Sequence, residues 1–153
     1  MITIQPAREE DLSALVPLFD AYRIFYKQAS DLTGARSFLH ERMTKKESVI
    51  FLAHYAGQPA GFTLLYPTFS SVSLQPVYIL NDLYVASAYR KKGVGEALLQ
   101  HTKEFCKEKG YKGLALETAT DNPAQRLYER LGWEKDSHFI HYFWKASSAG
   151  PTS

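Results

Sequence analysis

Apolar and polar positions change period several times along the chain. Ile2 to Gln5 alternate as a short strand that Pro6 ends. Glu9, Glu10 and Asp11 then bring acid to a first helical turn, where the helix dipole favours it. Leu12, Leu15, Val16, Phe19, Tyr22, Arg23 and Tyr26 recur at three- and four-residue intervals, which predicts a helix to about Lys27. A second helix is expected from Asp31, with Phe38, Leu39 and Met43 buried and Gly34 as its weak point. Ser48 to Tyr55 and Ala60 to Tyr66 read as strands joined by the turn Ala56-Gly57-Gln58-Pro59. Pro67 to Pro76 is polar and serine-rich, a loop or a frayed strand extension. Val77 to Val85 is a strand of branched and aromatic residues, and an amphipathic helix runs from Val94 to about Lys109, closed by Gly110. Lys112 to Ala119 reads as a strand. Asp121-Asn122-Pro123 opens a further helix, with Asn122 as cap and Pro123 at the first helical position. Ala124, Leu127, Tyr128 and Leu131 are its apolar stripe, and Gly132 stops it. Trp133 to Asp136 and Phe139 to Lys145 are expected to be a closing pair of strands.

This order is α/β with a central mixed sheet. Only Val77 to Ala119 forms a clear strand-helix-strand unit, too little alternation for a doubly wound dinucleotide fold. A chain of 153 residues suits one domain, expected over 1–146, with 147–153 as a disordered tail. Net charge of +2 is too small to argue for a nucleic-acid partner. The single Cys106 excludes an internal disulfide, favours a reducing compartment and reads as a core filler. No signal peptide or run of about 18 apolar residues is visible, so a cytoplasmic protein with no membrane partner is expected. The histidines show no ligand spacing: His138 and His141 on a strand would face opposite sides, and no metal is predicted.

The chemistry gathers after the Val77 strand. Arg90-x-x-Gly93-x-Gly95 follows a strand and opens a helix, an arrangement that offers backbone N–H groups and the positive helix end to an anion. Arg90, Lys91 and Lys92 could add charge near phosphates, although the two lysines equally suit a solvated turn.

Three stretches carry a family likeness: the strand with this loop, Glu117-Thr118-x-x-Asp121-Asn122-x-Ala124, and Leu127-Tyr128-Glu129-x-Leu131-Gly132-Trp133. Together they resemble the GCN5-related N-acetyltransferases (GNAT), and the element order matches over nearly the whole chain. LNDLYV and GFTLLYPTFSS look closest to the diamine and histone-type branch. The resemblance implies a mostly antiparallel mixed sheet of about seven strands, splayed at the middle and flanked by about four helices. It implies acetyl-CoA as co-substrate, its pyrophosphate on Arg90, Lys91, Lys92, Gly93, Val94 and Gly95. Its pantetheine arm would lie along Leu83, Tyr84 and Val85, with the Leu83 N–H as oxyanion donor. Asn122 would bond the cofactor by the same resemblance, yet also explains itself as a helix cap. A homodimer through the last strands is implied as a possibility.

Acyl transfer to an amine needs a neutral nucleophile, a stabilised oxyanion and a leaving thiolate. An alkylamine is only about 0.1% neutral at pH 7.4, so a base or a desolvating pocket is required. The resemblance assigns the leaving thiolate to Tyr128, which also fits the apolar stripe as a core tyrosine. A phenol is a weaker acid than a thiol, by about 2 kcal/mol, so Tyr128 would donate a hydrogen bond rather than its proton. The base is open among Asp82, Glu117 and a water. The polyamine-acetylating branch carries Glu-Asp where this chain has Asn81-Asp82; Asn81 can only orient water or amine, and alternation turns Asp82 away unless a bulge rotates it. Tyr22, Phe25, Tyr26, Tyr66 and Phe69, with Asp20, Asp31 and Glu41, could together suit a cationic amine. The expected activity is acetyl transfer from acetyl-CoA to a primary amine (a polyamine, a small amine or a lysine-like side chain) by direct attack in a ternary complex. An amino-acid or aminoglycoside acceptor, or a non-catalytic acyl-CoA sensor, are the alternatives.

Overall fold

A computed structural model describes residues 1–146. The chain divides into two compact units, Met1–Ala119 and a second beginning at Thr120. The first unit holds β1 (Ile2–Pro6), α1 (Leu12–Phe25), α2 (Leu32–Thr44), β2 (Val49–Tyr55), β3 (Gln58–Ser70), β4 (Gln75–Val85), α3 (Val94–Lys109) and β5 (Leu114–Ala115). The strands form one sheet in sequence order, antiparallel throughout except for the β4–β5 pair, which α3 connects in parallel. Five strands form among the described residues, not seven. The expected strand from Lys112 to Ala119 shortens to two residues, and Trp133–Asp136 and Phe139–Lys145 are not strands. Large apolar side chains from Phe139 to Trp144 stay exposed there, and among the described residues no strand forms beside them.

Helices cover both faces of the sheet. Leu12, Leu15, Val16 and Phe19 of α1 and Leu39 of α2 pack with Ile50, Leu52, Phe62 and Leu64 into the main core. Alternation sends Phe51 to the other face, where its ring meets His101 and Phe105 of α3 at 4.7 and 5.1 Å. Burying a side chain such as Phe62 contributes roughly 1.5–3 kcal/mol, so these two layers fix the register of β2 and β3. Thr63 and Thr102 share a hydroxyl contact at 3.3 Å inside the α3 layer, and Thr102 also donates to Leu98 O, so neither buried oxygen lacks a partner.

Two glycines answer to geometry. Gly34, the weak point expected inside α2, lies at the helix start: the Asp31 carboxylate accepts from its N–H at 2.9 Å, and a Cβ there would come within 2.4 Å of that carboxylate. At Gly61 on β3 a Cβ would sit 2.5 Å from Tyr84 O, so a side chain would push β4 away. The serine-rich stretch is strand extension at both ends, with the β3–β4 ladder continuing to Ser70 opposite Gln75, and a turn over 71–74 between them.

The second unit contains α4 (Ala124–Arg130). Pro123, expected at the first helical position, takes the N-cap position instead, and Asn122, one residue further out, accepts from Ala124 N through Oδ1 at 2.9 Å. The expectation for 147–153 lies outside the described residues.

Candidate active site

The site grows from an irregularity in β4. Leu64 on β3 faces Asp82 while its neighbour Leu65 faces Leu80, so Asn81 is an extra residue, a β-bulge. The bulge turns Asp82 toward the α1–α2 face. There Asp82 is 6% exposed, and Tyr22 and the Asn81 amide (Nδ2 to Oδ1, 3.1 Å) hydrogen-bond its carboxylate. Loss of hydration pushes its pKa up, against the pull of those two donors. Tyr66 lies on the same face, and its own pKa is raised by burial and then by the Asp82 charge. Glu117 is exposed beyond the end of β5.

The bulge also sorts the backbone amides. Ala86 N–H donates to Ala60 O on β3 at 2.8 Å. Amides of an extended strand point alternately to its two edges, so those of Tyr84 and Asp82 also face β3, and those of Leu83 and Val85 face the opposite edge. On that opposite edge the β4–β5 ladder consists, among the described residues, of Tyr78 with Leu114 and Ile79 with Ala115. The sheet therefore parts beyond Ile79, and Leu83 and Val85 present their N–H groups to the parting.

Beyond β4 the chain passes through a single 3-10 turn, Ser87–Tyr89, into the loop that starts α3. Lys91 and Gly93 take left-handed backbone at φ 62° and 86°. No side chain caps α3, and its first helical bond is Ala97 N to Gly93 O, so the amides of Val94 and Gly95 precede the ladder. Within 4 Å a Cβ on Gly93 would meet only Ile2 Cδ1, at 3.8 Å. The glycine is thus required by backbone shape, and no side chain plugs the loop at that point. This arrangement fits a pyrophosphate. Arg90 has a narrower geometry than expected: its Nε donates to Val85 O at 2.9 Å and its guanidinium lies 5.5 Å from the Tyr84 ring and 6.0 Å from that of Phe25. It ties the loop back to β4 while keeping its charge beside it. Lys92 sits over Tyr55 at 5.6 Å.

The acceptor-side expectations divide. Tyr22 is the hub of an aromatic row, with ring centroids 5.1 Å from Tyr26, 5.8 Å from Phe62 and 6.0 Å from Tyr84, and Phe25 continues it 5.3 Å from Tyr26. Phe69 stands apart at the exposed end of the β3–β4 hairpin. The three carboxylates expected to supply acid are engaged elsewhere. Asp20 accepts from Asp31 N and Ser30 Oγ, which holds its pKa below the usual carboxylate range. Asp31 caps α2, and Glu41 pairs with Lys45 and Arg42. Sequence reasoning missed the bond from Tyr22 to Asp82; its signal was a polar-tipped aromatic on an apolar stripe.

In the second unit Tyr128 is largely buried, its ring 5.8 Å from Trp133, and its carbonyl accepts from Trp133 N. Cys106 is buried, which raises its thiol pKa, as a core filler requires. Among the described residues no group of three His, Cys, Asp or Glu could hold a metal, and no helix is long and apolar enough to cross a membrane.

The parted sheet, the bulged strand and the uncapped helix behind a left-handed glycine agree with the arrangement that the resemblance implies. The chain belongs to the GNAT acetyltransferase family, which matches residues 15–133. It is 49% identical over 142 residues to the uncharacterized N-acetyltransferase YhfO of Bacillus subtilis, covering 92% of this chain and 95% of that one. A probable acetyltransferase of Haemophilus influenzae is 31% identical over 80% of this chain and 93% of its own length. The crystal structure of a probable acetyltransferase superposes with a TM-score of 0.90 at 42% identity, over 95% of this chain and 99% of that one. An aminoglycoside acetyltransferase from a soil metagenome, solved with trehalose, shares the fold at a TM-score of 0.81 and 18% identity, over 95% of this chain and 96% of that one. The protein is an acetyltransferase, and enzymes of this family use acetyl-CoA as co-substrate.

Proposed function

We propose that the chain moves acetyl from acetyl-CoA to the primary amine of a cationic acceptor with an apolar body, and that Asp82 is the base. The observation that carries this reading is the buried Asp82 carboxylate at the β4 bulge, turned toward an aromatic row and next to the open strand edge. A buried carboxylate attracts an ammonium ion, and the loss of hydration that raises its pKa makes it a better proton acceptor. Tyr22, Tyr26 and Phe25 offer ring faces to the acceptor's body and charge. Phe25 and Tyr26 are exposed enough to be reached.

In this reading the ammonium gives its proton to Asp82 as its nitrogen bonds the thioester carbonyl carbon. The electron pair moves to the carbonyl oxygen, which the Leu83 N–H stabilises. When the carbonyl reforms, the carbon–sulfur bond breaks and the thiolate takes the second amine proton; Tyr128 is the hydrogen-bond donor that the family resemblance implies for it. Val94, Gly95 and the loop charges hold the pyrophosphate. Asn122 serves as a helix cap, and Glu117 has no part.

Steady-state release of thiol from acetyl-CoA with a panel of amines tests the assignment. Asp82→Asn is expected to lower kcat by about 10²–10⁴ with little change in acetyl-CoA affinity. Tyr128→Phe should lower turnover more than it weakens that affinity. Wild-type turnover in Asp82→Asn would remove the base. Tight acetyl-CoA binding by the native chain, with no thiol release from any amine, would leave a sensor instead.

A further inference from the structure

The Asp82 carboxylate is held by two donors from different elements, Tyr22 on α1 and Asn81 on β4. The Tyr22 ring cannot drift. It is boxed by Phe19 on its own helix at 6.4 Å, Tyr26 at 5.1 Å, Phe62 on β3 at 5.8 Å and Tyr84 on β4 at 6.0 Å. Rings packed this way fix both torsions of the tyrosine and so aim its hydroxyl. That hydroxyl meets Asp82, whose other donor is the amide of the bulge residue Asn81 at 3.1 Å. The row therefore runs from an exposed end at Phe25 and Tyr26 to a single buried polar contact.

We infer that Tyr22 is a positioning residue that orients Asp82 and sets the pH range in which it works as a base. This rests on the assignment of Asp82 as the base. A carboxylate stripped of donors at 6% exposure would hold its proton to higher pH than one that keeps them. The tyrosine bond favours the ionised form, so the enzyme keeps an unprotonated base at lower pH than burial alone would permit. It also occupies one lone pair, which leaves another directed at the incoming ammonium. Among the described residues the groups facing Asp82 are few. They are Tyr22 from α1, Asn81 from its own strand and Tyr66 from β3, with Arg42 and Glu47 reaching Tyr66 electrostatically from the end of α2 and the turn after it. Tyr66 is not among the donors to Asp82; the Asp82 charge makes the Tyr66 phenol harder to ionise. Among the described residues the hydroxyl donor to the carboxylate is thus Tyr22.

The test is the pH profile of kcat/KM for Tyr22→Phe beside Asp82→Asn, with thermal melts to show that both variants fold. Phenylalanine keeps the ring box and deletes only the donor. The acidic limb of the Tyr22→Phe profile is expected to move to higher pH. Activity below the limb should drop about tenfold, the size expected from one hydrogen bond to a charged group, and should recover on the alkaline plateau. KM for acetyl-CoA should stay unchanged. An unmoved limb, or a loss equal at every pH, would overturn the role of Tyr22 while an inactive Asp82→Asn leaves the base in place. An Asp82→Asn variant with wild-type turnover and an unchanged limb would overturn the base itself, and this inference with it.

Discussion

Asp82 is costly to the fold in the form that would make it useful. Its carboxyl binds a proton more tightly in the folded chain than in the unfolded one, because burial outweighs the bonds from Tyr22 and Asn81. At pH values between those two affinities the folded state carries the extra proton. Stability is therefore complete below the ordinary aspartate range and declines as pH rises through the folded value. Asp82→Asn removes the titration while keeping an oxygen for Tyr22, so the variant should be more stable than the wild type at pH 8. The difference should shrink toward pH 4. Urea unfolding at the two pH values measures it, and equal differences at both would show that the carboxylate ionises in the fold as easily as in the unfolded chain. Asp20 has the opposite sign: donors from Asp31 and Ser30 favour its ionised form, so its contribution is present above the ordinary value and is lost on acidification. The two aspartates were indistinguishable as letters; burial and donor count separate them.

At the scale of elements, β4 is where sequence and structure part company most usefully. Its extent, the helix after it and the glycine between them follow from hydrophobic period and from the need for positive φ at Gly93. The bulge does not, because an extra residue is defined only against the partner strand, and Leu64 and Leu65 carry no mark of it. Hence Asp82 could be proposed as a base only on condition of a rotation that the β3 register supplies. Gly61 is the matching device on β3. Its missing side chain lets Tyr84 O approach, and so keeps β4 against β3 on the edge away from the parting. Gly61→Ala should cost about 1–3 kcal/mol, the range for overpacking a close contact, and should disturb the Leu83 and Val85 amides. The urea midpoint measures the first effect, and amide shifts in a two-dimensional NMR spectrum the second. A variant with native stability and native shifts would mean that β4 yields without consequence.

For the whole molecule, the family and the layer order were legible because each rests on local pattern: amphipathic helices, apolar strands, and a glycine loop between a strand and a helix. The closing strands were not, since pairing depends on a neighbouring strand that no local stretch encodes, and among the described residues none forms beside the exposed side chains from Phe139 to Trp144. The ligand offers a measurement that spans the first unit. Its proposed contacts lie on β4, on the loop and at the start of α3, elements that the fold brings together only when the sheet is formed. Acetyl-CoA should then bind the folded chain and not the unfolded one, adding about 2.7 kcal/mol at a hundredfold excess over Kd. In a protein of this size that corresponds to a rise in Tm of about 5–10 °C. Gly93→Val should lose most of this rise while its ligand-free Tm falls by less, because a branched side chain strains the left-handed backbone at φ 86° and fills the loop, yet has only Ile2 Cδ1 near it in the core. Scanning calorimetry of both chains with and without acetyl-CoA decides it: an equal rise in the variant would place the pyrophosphate somewhere other than this loop.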